Sequence, residues 1–287
     1  MSETNSVQAA DILAYYKVLR RGQRKTPGPN LIGVGPGRSG TSFLYEVLDQ
    51  SRDIYFAPHK ELNFFGVFEV GNPNNKKKRG GWTYDDYERL FMLAGEERYI
   101  AEVTPIYLEH PGSLEGIARY NPEMKIIITL REPLERVMSQ FRHQANRNGY
   151  ESFDQYVRDG IQQVSQSKLK ATDWYAPGKN IKQSLYAEDV ARAYRLFDPS
   201  NVCVLIYEDL VSDPQIWIRQ ISEFLDLDLG SLDVDRRVNA SRSAIEQQLS
   251  PETHSRCQEL FLDDIRKTAD LLNVDLMAKW HGRALGL

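Results

Sequence analysis

Five short apolar runs recur at wide intervals along the chain: Leu31 to Val34, Ile54 to Phe56, Tyr99 to Val103, Lys125 to Leu130 and Val202 to Tyr207. Each is rich in β-branched or aromatic residues and bounded by Gly, Pro, Asn or Asp, as a buried strand between turns would be. The intervening segments change period. Residues 41–50 (TSFLYEVLDQ), 83–94 (TYDDYERLFMLA), 113–120 (SLEGIARY), 133–148 (PLERVMSQFRHQANRN) and 186–198 (YAEDVARAYRLFD) space their apolar residues three and four apart, which marks one face of a helix. Strands alternating with helices predict right-handed crossovers and an α/β fold, a central parallel sheet flanked by helices on both faces. Ligands of such sheets bind at the carboxyl ends of the strands.

Two stretches break the rhythm. Residues 66–81 (GVFEVGNPNNKKKRGG) are polar and carry four consecutive cations, and residues 149–183 mix a helical pattern with SQSKLKATDWYAPGKN. Both read as insertions of a main domain spanning 30–287, the second able to cap a site. Residues 1–29 read as an N-terminal helical extension, with 8–20 forming a short amphipathic helix before RRGQRK. The tail from Pro251 has a helical period and should pack back on the domain.

Composition narrows the function classes. Of 287 residues, 41% are hydrophobic and 26% charged, and the formal net charge of −4 argues against a general nucleic-acid binder. No run of about 18 apolar residues and no signal-peptide core occurs, so a cytoplasmic protein with no membrane span is expected. Cys203 and Cys257 lack CxxC spacing and neighbouring histidines, and read as reduced core residues.

The first strand runs into GVGPGRSGTS and then a helix. Such a loop presents unpaired backbone N–H groups and the positive end of a helix dipole, while its glycines let backbone close around an anion. Arg38 adds a positive charge, and Thr41 and Ser42 add hydroxyls in the first helical turn. The loop is not a Walker A: no Lys follows Gly40, and Arg38 precedes it. The fourth strand repeats the design, delivering Arg131 at its carboxyl edge, Pro133 in the first turn of a helix and Ser139 within that helix. Arg136 and Arg142 read as ion-pair partners on that helix's outer face. Two phosphate-type sites on one sheet suggest a ligand with two separate phosphates.

PGRSGTSFLYEVL and LREPLERVMSQF together resemble the two nucleotide-binding signatures of the sulfotransferase family, which uses 3′-phosphoadenosine 5′-phosphosulfate (PAPS) and releases 3′-phosphoadenosine 5′-phosphate (PAP). HKELNFFG (59–66), AEVTPIYL (101–108), and SLYAEDVARAYRLF followed by VCVLIYEDLVSDP (184–214) are similar to the heparan sulfate sulfotransferase branch, in family order. The resemblance implies a P-loop-type three-layer sandwich and in-line sulfuryl transfer to a hydroxyl, less readily an amine, of a carbohydrate or small-metabolite acceptor. It implies that Gly37, Arg38, Ser39, Gly40, Thr41 and Ser42 hold the 5′-phosphosulfate, with Arg38 stabilising the leaving phosphate. Arg131 and Ser139 hold the 3′-phosphate, Asn239, Ser241 and Arg242 belong to a cofactor-closing loop, and Glu61 is the catalytic base. No metal is required by this logic. Lys60 either contacts the sulfonate or sits in solvent, and His59 is a rival base. The heparan branch often has Lys where Val103 stands and His where Asn63 stands, so a glycosaminoglycan acceptor is the less secure implication.

Several features carry two readings. Glu208 and Asp209 resemble a Walker B acid, but helix capping by Asp209 is the simpler expectation. Lys76 to Arg79 form a solvated run or steer an anionic acceptor, and Trp174 and Tyr175 stack on an acceptor or pin the second insertion. The rival functions are a P-loop small-molecule kinase, which requires ATP and Mg²⁺, and a non-catalytic nucleotide-binding protein, which has no need of Glu61.

Overall fold

A computed structural model describes residues 28–68, 82–144, 149–167, 176–235 and 248–286. The elements follow in the order β1 (Leu31–Val34), α1 (Thr41–Leu48), β2 (Ile54–Phe56), α2 (Tyr84–Glu88), β3 (Tyr99–Val103), α3 (Ser113–Tyr120), β4 (Lys125–Leu130), α4 (Pro133–Gln144), α5 (Phe153–Ser165), α6 (Pro177–Lys182) and α7 (Ala187–Leu196). They continue with β5 (Val202–Ile206), α8 (Tyr207–Ser212), α9 (Pro214–Leu225), α10 (Pro251–Leu272) and α11 (Leu276–Lys279). All five expected strands form. The fifth stops one residue early, because Tyr207 opens α8, whose first turn carries Glu208 and Asp209 where acidic side chains complement the positive end of the helix dipole.

The sheet order is β2-β3-β1-β4-β5 and every pairing is parallel. Side chains alternate between its two faces. Ile32, Val34, Ile126, Ile128 and Leu130 point into one apolar layer with Leu114, Val137, Phe141, Val190, Phe261 and Ile265. Leu31, Ala101, Val103, Ile127 and Leu205 point into the other, against Phe43, Leu44, Val47, Trp217 and Ile221. Burial on both faces explains why the strands read as continuous apolar runs. The helical parts of 149–183 contribute Phe153, Tyr156, Val157 and Ile181 to the first layer, and α10 buries Cys257, Phe261 and Ile265 there.

From β1 the chain winds outward to β2, and from β4 it winds the opposite way to β5. β1 and β4 are adjacent, so the loops leaving them open at the topological switch point, where open α/β sheets bind ligands. Among the described residues no helix is long and apolar enough to cross a membrane. The residues outside the description include most of the first insertion and the N-terminal extension.

Candidate active site

The loop from β1 to α1 is shaped by two glycines that no other residue could replace without strain. Gly35 has φ 141°, and a Cβ there would lie 2.5 Å from the Thr129 carbonyl oxygen on β4. Gly40 caps α1 with φ 94°, and its Cβ would lie 2.7 Å from the Trp217 ring. Between them Ser39 is fully buried, and its hydroxyl has no partner among the described residues. An unpartnered buried hydroxyl costs about 1–3 kcal/mol, which a ligand at this loop would offset. Lys60, from the loop after β2, sets Nζ 3.2 Å from Ser42 Oγ and 3.4 Å from Thr41 Oγ1. A cation beside the positive end of a helix is unfavourable unless an anion lies between them.

The second set gathers where β4 ends. Arg38, held at φ 76°, does not turn toward α1; its Nε donates to Ser139 Oγ at 3.1 Å. Arg131 Nη1 donates to the Arg38 carbonyl at 3.3 Å, its Nη2 lies 3.4 Å from Glu135 Oε2, and its guanidinium sits 4.5 Å over the Tyr207 ring. Arg131 Nε is buried without a partner among the described residues. Burial, then the neighbouring Arg131 charge, holds the Arg38 guanidinium below its ordinary pKa. Two guanidiniums brought together with an unused N–H form a site for a multiply charged anion. Tyr207 is a member of this set that sequence reasoning missed; its place at the carboxyl end of β5 was the available signal.

Arg136 corrects the sequence reading. It is fully buried on the inner side of α4, because α6 and the segment after it cover that face. Its Nε donates to Ser184 Oγ at 2.6 Å, Nη1 to the Gly37 carbonyl at 3.2 Å, and Nη2 to Asn180. The guanidinium thus ties the first loop to 176–184.

The Walker B and capping readings are corrected as well. Glu208 is buried, accepting from Glu132 N at 3.1 Å and Trp280 Nε1 at 2.7 Å. Asp209 pairs with Lys279 at 2.6 Å rather than capping a helix. Glu132 accepts from Leu285 N at 2.7 Å, so the segment after α10 is fastened directly behind Arg131. Burial raises Glu132, Glu102 and Asp189 each to about 7. The folded chain therefore keeps protons that the unfolded chain releases at ordinary carboxyl values, and stability held at low pH is lost as pH rises through about 7. Urea midpoints are expected to be higher near about pH 5 than near about pH 8. Glu132→Gln should flatten that slope by on the order of 1 kcal/mol per pH unit between about pH 5 and about pH 7, and an unchanged slope in the variant would refute the assignment.

Glu61 follows β2 with φ 66°; its N–H donates to the Val103 carbonyl at 2.9 Å. The side chain is 54% exposed and pairs with Lys60 at 3.2 Å. Asn63, at φ 55°, donates from Nδ2 to the Glu61 carbonyl at 2.5 Å. His59 is half-buried nearby, whereas Val103 is buried beneath α1, within 2.9 Å of where a Cβ on Gly33 would stand. Asn239, Ser241, Arg242, Trp174, Tyr175 and the 76–79 run lie outside the described residues. Cys203 and Cys257 are free thiols that burial pushes up to about 12, so neither is nucleophilic near neutral pH.

A family model described as "Sulfotransferase domain" matches residues 29–267. The human heparan sulfate glucosamine 3-O-sulfotransferase 6 is 27% identical over 209 residues, 72% of this chain and 54% of that protein. The membrane-associated sulfotransferase kil1 of Dictyostelium discoideum is 27% identical over 113 residues, 39% of this chain and 22% of that protein. The chain thus spans about half the length, or less, of these curated relatives. Among solved structures, a sulfotransferase from Alicyclobacillus acidocaldarius superposes with a TM-score of 0.70 at 25% identity, covering 89% of this chain and 100% of that one. Mouse sulfotransferase SULT7A1 complexed with PAP gives 0.50 at 15% identity, covering 96% and 94%, a likeness of fold.

Proposed function

The chain belongs to the sulfotransferase domain family, and from that premise we propose that it transfers a sulfuryl group from PAPS to a hydroxyl, less readily an amine, of a carbohydrate or small-metabolite acceptor. The observation that carries the reading is the pair of anion-ready sets on the adjacent loops after β1 and β4, each containing a buried polar atom without a partner among the described residues. The curated relatives named for heparan sulfate glucosamine favour a carbohydrate hydroxyl.

In this reading the backbone from Gly37 to Gly40, the hydroxyls of Ser39, Thr41 and Ser42, and the Lys60 ammonium hold the 5′-phosphosulfate end. Arg38, Arg131 and Ser139 hold the 3′-phosphate, with Tyr207 beneath the Arg131 guanidinium. Asn239, Ser241 and Arg242 join the proposal through the family resemblance alone. When bound, PAPS supplies an activated sulfuryl group with PAP as its leaving group. Glu61, open to solvent on one side, accepts the acceptor's proton at its carboxylate, and Lys60 ties that carboxylate to the hydroxyls at the start of α1. The Lys60 charge is fixed beside the α1 hydroxyls before reaction, so stabilising negative charge on the departing 5′-phosphate there needs little reorganisation.

Calorimetry with EDTA present tests the reading. PAP is expected to bind with a Kd of about 10 µM or tighter, and ATP to bind at least about 10-fold more weakly with or without Mg²⁺. Mg²⁺-dependent ATP binding with no response to PAP would replace the sulfotransferase with a kinase.

A further inference from the structure

Glu102 lies on β3 with 1% exposure, remote from solvent and with no place in the proposed chemistry. Its carboxylate receives three hydroxyl donors: Tyr87, Thr104 at 2.6 Å and Tyr107 at 3.3 Å. The Tyr107 hydroxyl is in turn the acceptor for two backbone N–H groups, Phe64 at 2.6 Å and Phe65 at 3.3 Å. A phenol has one proton and two lone pairs. Here the proton goes to Glu102 and both lone pairs face the backbone, so an acceptor at position 102 sets the direction of the hydroxyl.

Those two amides end the turn that carries Glu61. Glu61 and Asn63 both adopt left-handed backbone, which costs a non-glycine residue roughly 1–2 kcal/mol and persists only where the flanks are fixed. The near flank is fixed by the bond from Glu61 N to Val103 O, and the far flank by Tyr107 together with Ser113 Oγ, which donates to the Phe65 carbonyl at 2.9 Å. Tyr87 adds a second hold, since it donates to Glu102 and stacks on the Phe64 ring at 4.3 Å between centroids. Both ends of the turn are thereby referred to neighbouring residues of one strand, Glu102 and Val103. A carboxylate in an apolar core is a poor way to gain stability, because burial opposes its charge and a hydrophobic residue would cost less. Its presence fits a demand for geometry.

We propose that Glu102 is a positioning residue for Glu61, acting through Tyr107 on the backbone of Phe64 and Phe65. The inference rests on Glu61 being the base. The same relay makes Tyr107 a second positioning residue, and Thr104, donating to Oε2, completes the set of donors around the carboxylate.

The test compares the full chain with Tyr107→Phe, Glu102→Gln and Glu61→Gln. Three quantities are measured: amide hydrogen exchange across 59–66, PAP affinity by calorimetry, and PAP release from PAPS with water as the nucleophile. In Tyr107→Phe the Phe64 and Phe65 amides are expected to exchange at least about 10-fold faster, and kcat to fall by about 100-fold. KM for PAPS and PAP affinity should hold within about 3-fold. Glu102→Gln keeps an oxygen for Tyr107 and should retain most of the protection and rate. A Tyr107→Phe variant with wild-type exchange at Phe64 and Phe65 overturns the proposal, as does a fall in PAP affinity equal to the fall in rate. Wild-type turnover in Glu61→Gln would sink the base assignment instead, whatever Tyr107→Phe does.

Discussion

Arg131→Ala is expected to weaken PAP binding by at least about 100-fold, since a charge-assisted fork to a phosphate contributes about 1.5–3 kcal/mol per bond. The position explains the size of the effect. Arg131 leaves the end of β4, rests its guanidinium on Tyr207 and keeps a buried Nε without a partner among the described residues. Arg131→Lys separates charge from shape: it keeps the cation, loses the planar fork, and should recover only part of the affinity. Calorimetry on the three proteins decides the matter. An alanine variant within about 3-fold of wild type would place the 3′-phosphate elsewhere.

Glu61→Gln carries the second large effect, a loss of about 10²–10⁴-fold in turnover with PAP affinity nearly unchanged. The separation follows from geometry. The Glu61 carboxylate contacts Lys60 on the exposed side of the site, while Arg38, Arg131 and Ser139 form a separate hydrogen-bonded set. The amide is nearly the same size and can still accept from Lys60, so the turn should survive while proton acceptance is lost. Steady-state rates of PAP formation beside calorimetric affinities provide the check. Unimpaired turnover would transfer the role to half-buried His59, whose own substitution would then be limiting.

The five strands were legible because each side of the sheet is covered, leaving apolar runs without an alternating polar face. The two loops after β1 and β4 were legible as loops at strand ends because glycines, an arginine and hydroxyls cluster there locally. Three features were hidden for a shared physical reason: their partners are distant in sequence. Arg38 meets Ser139 across 101 residues, so the loop cation could be placed near the first loop by sequence yet its side chain could not be aimed. Arg136 read as surface because charge usually stays in water, whereas a carbonyl of the first loop and two residues of 176–184 satisfy it inside. Glu102 looked like one residue of an apolar strand, and only the fold brings Tyr87 and Tyr107 to it. Asp209 misled for a related reason, since its partner Lys279 lies 70 residues on.

The fastening of Glu132 to Leu285 and of Glu208 to Trp280 has a bearing on biosynthesis. These two carboxylates stand directly behind the arginine at the end of β4, and each has one oxygen served by a nearby backbone N–H, of Glu135 or of Glu132, while the donor to the other oxygen is translated much later, Leu285 lying 153 positions after Glu132. At about 5–20 residues per second the ribosome takes roughly 8–30 s to cover that distance. During that interval the nascent sheet holds two acids with their tail donors still missing, and the carboxyl edge of β4 is finished only after residues 280–285 emerge from the exit tunnel.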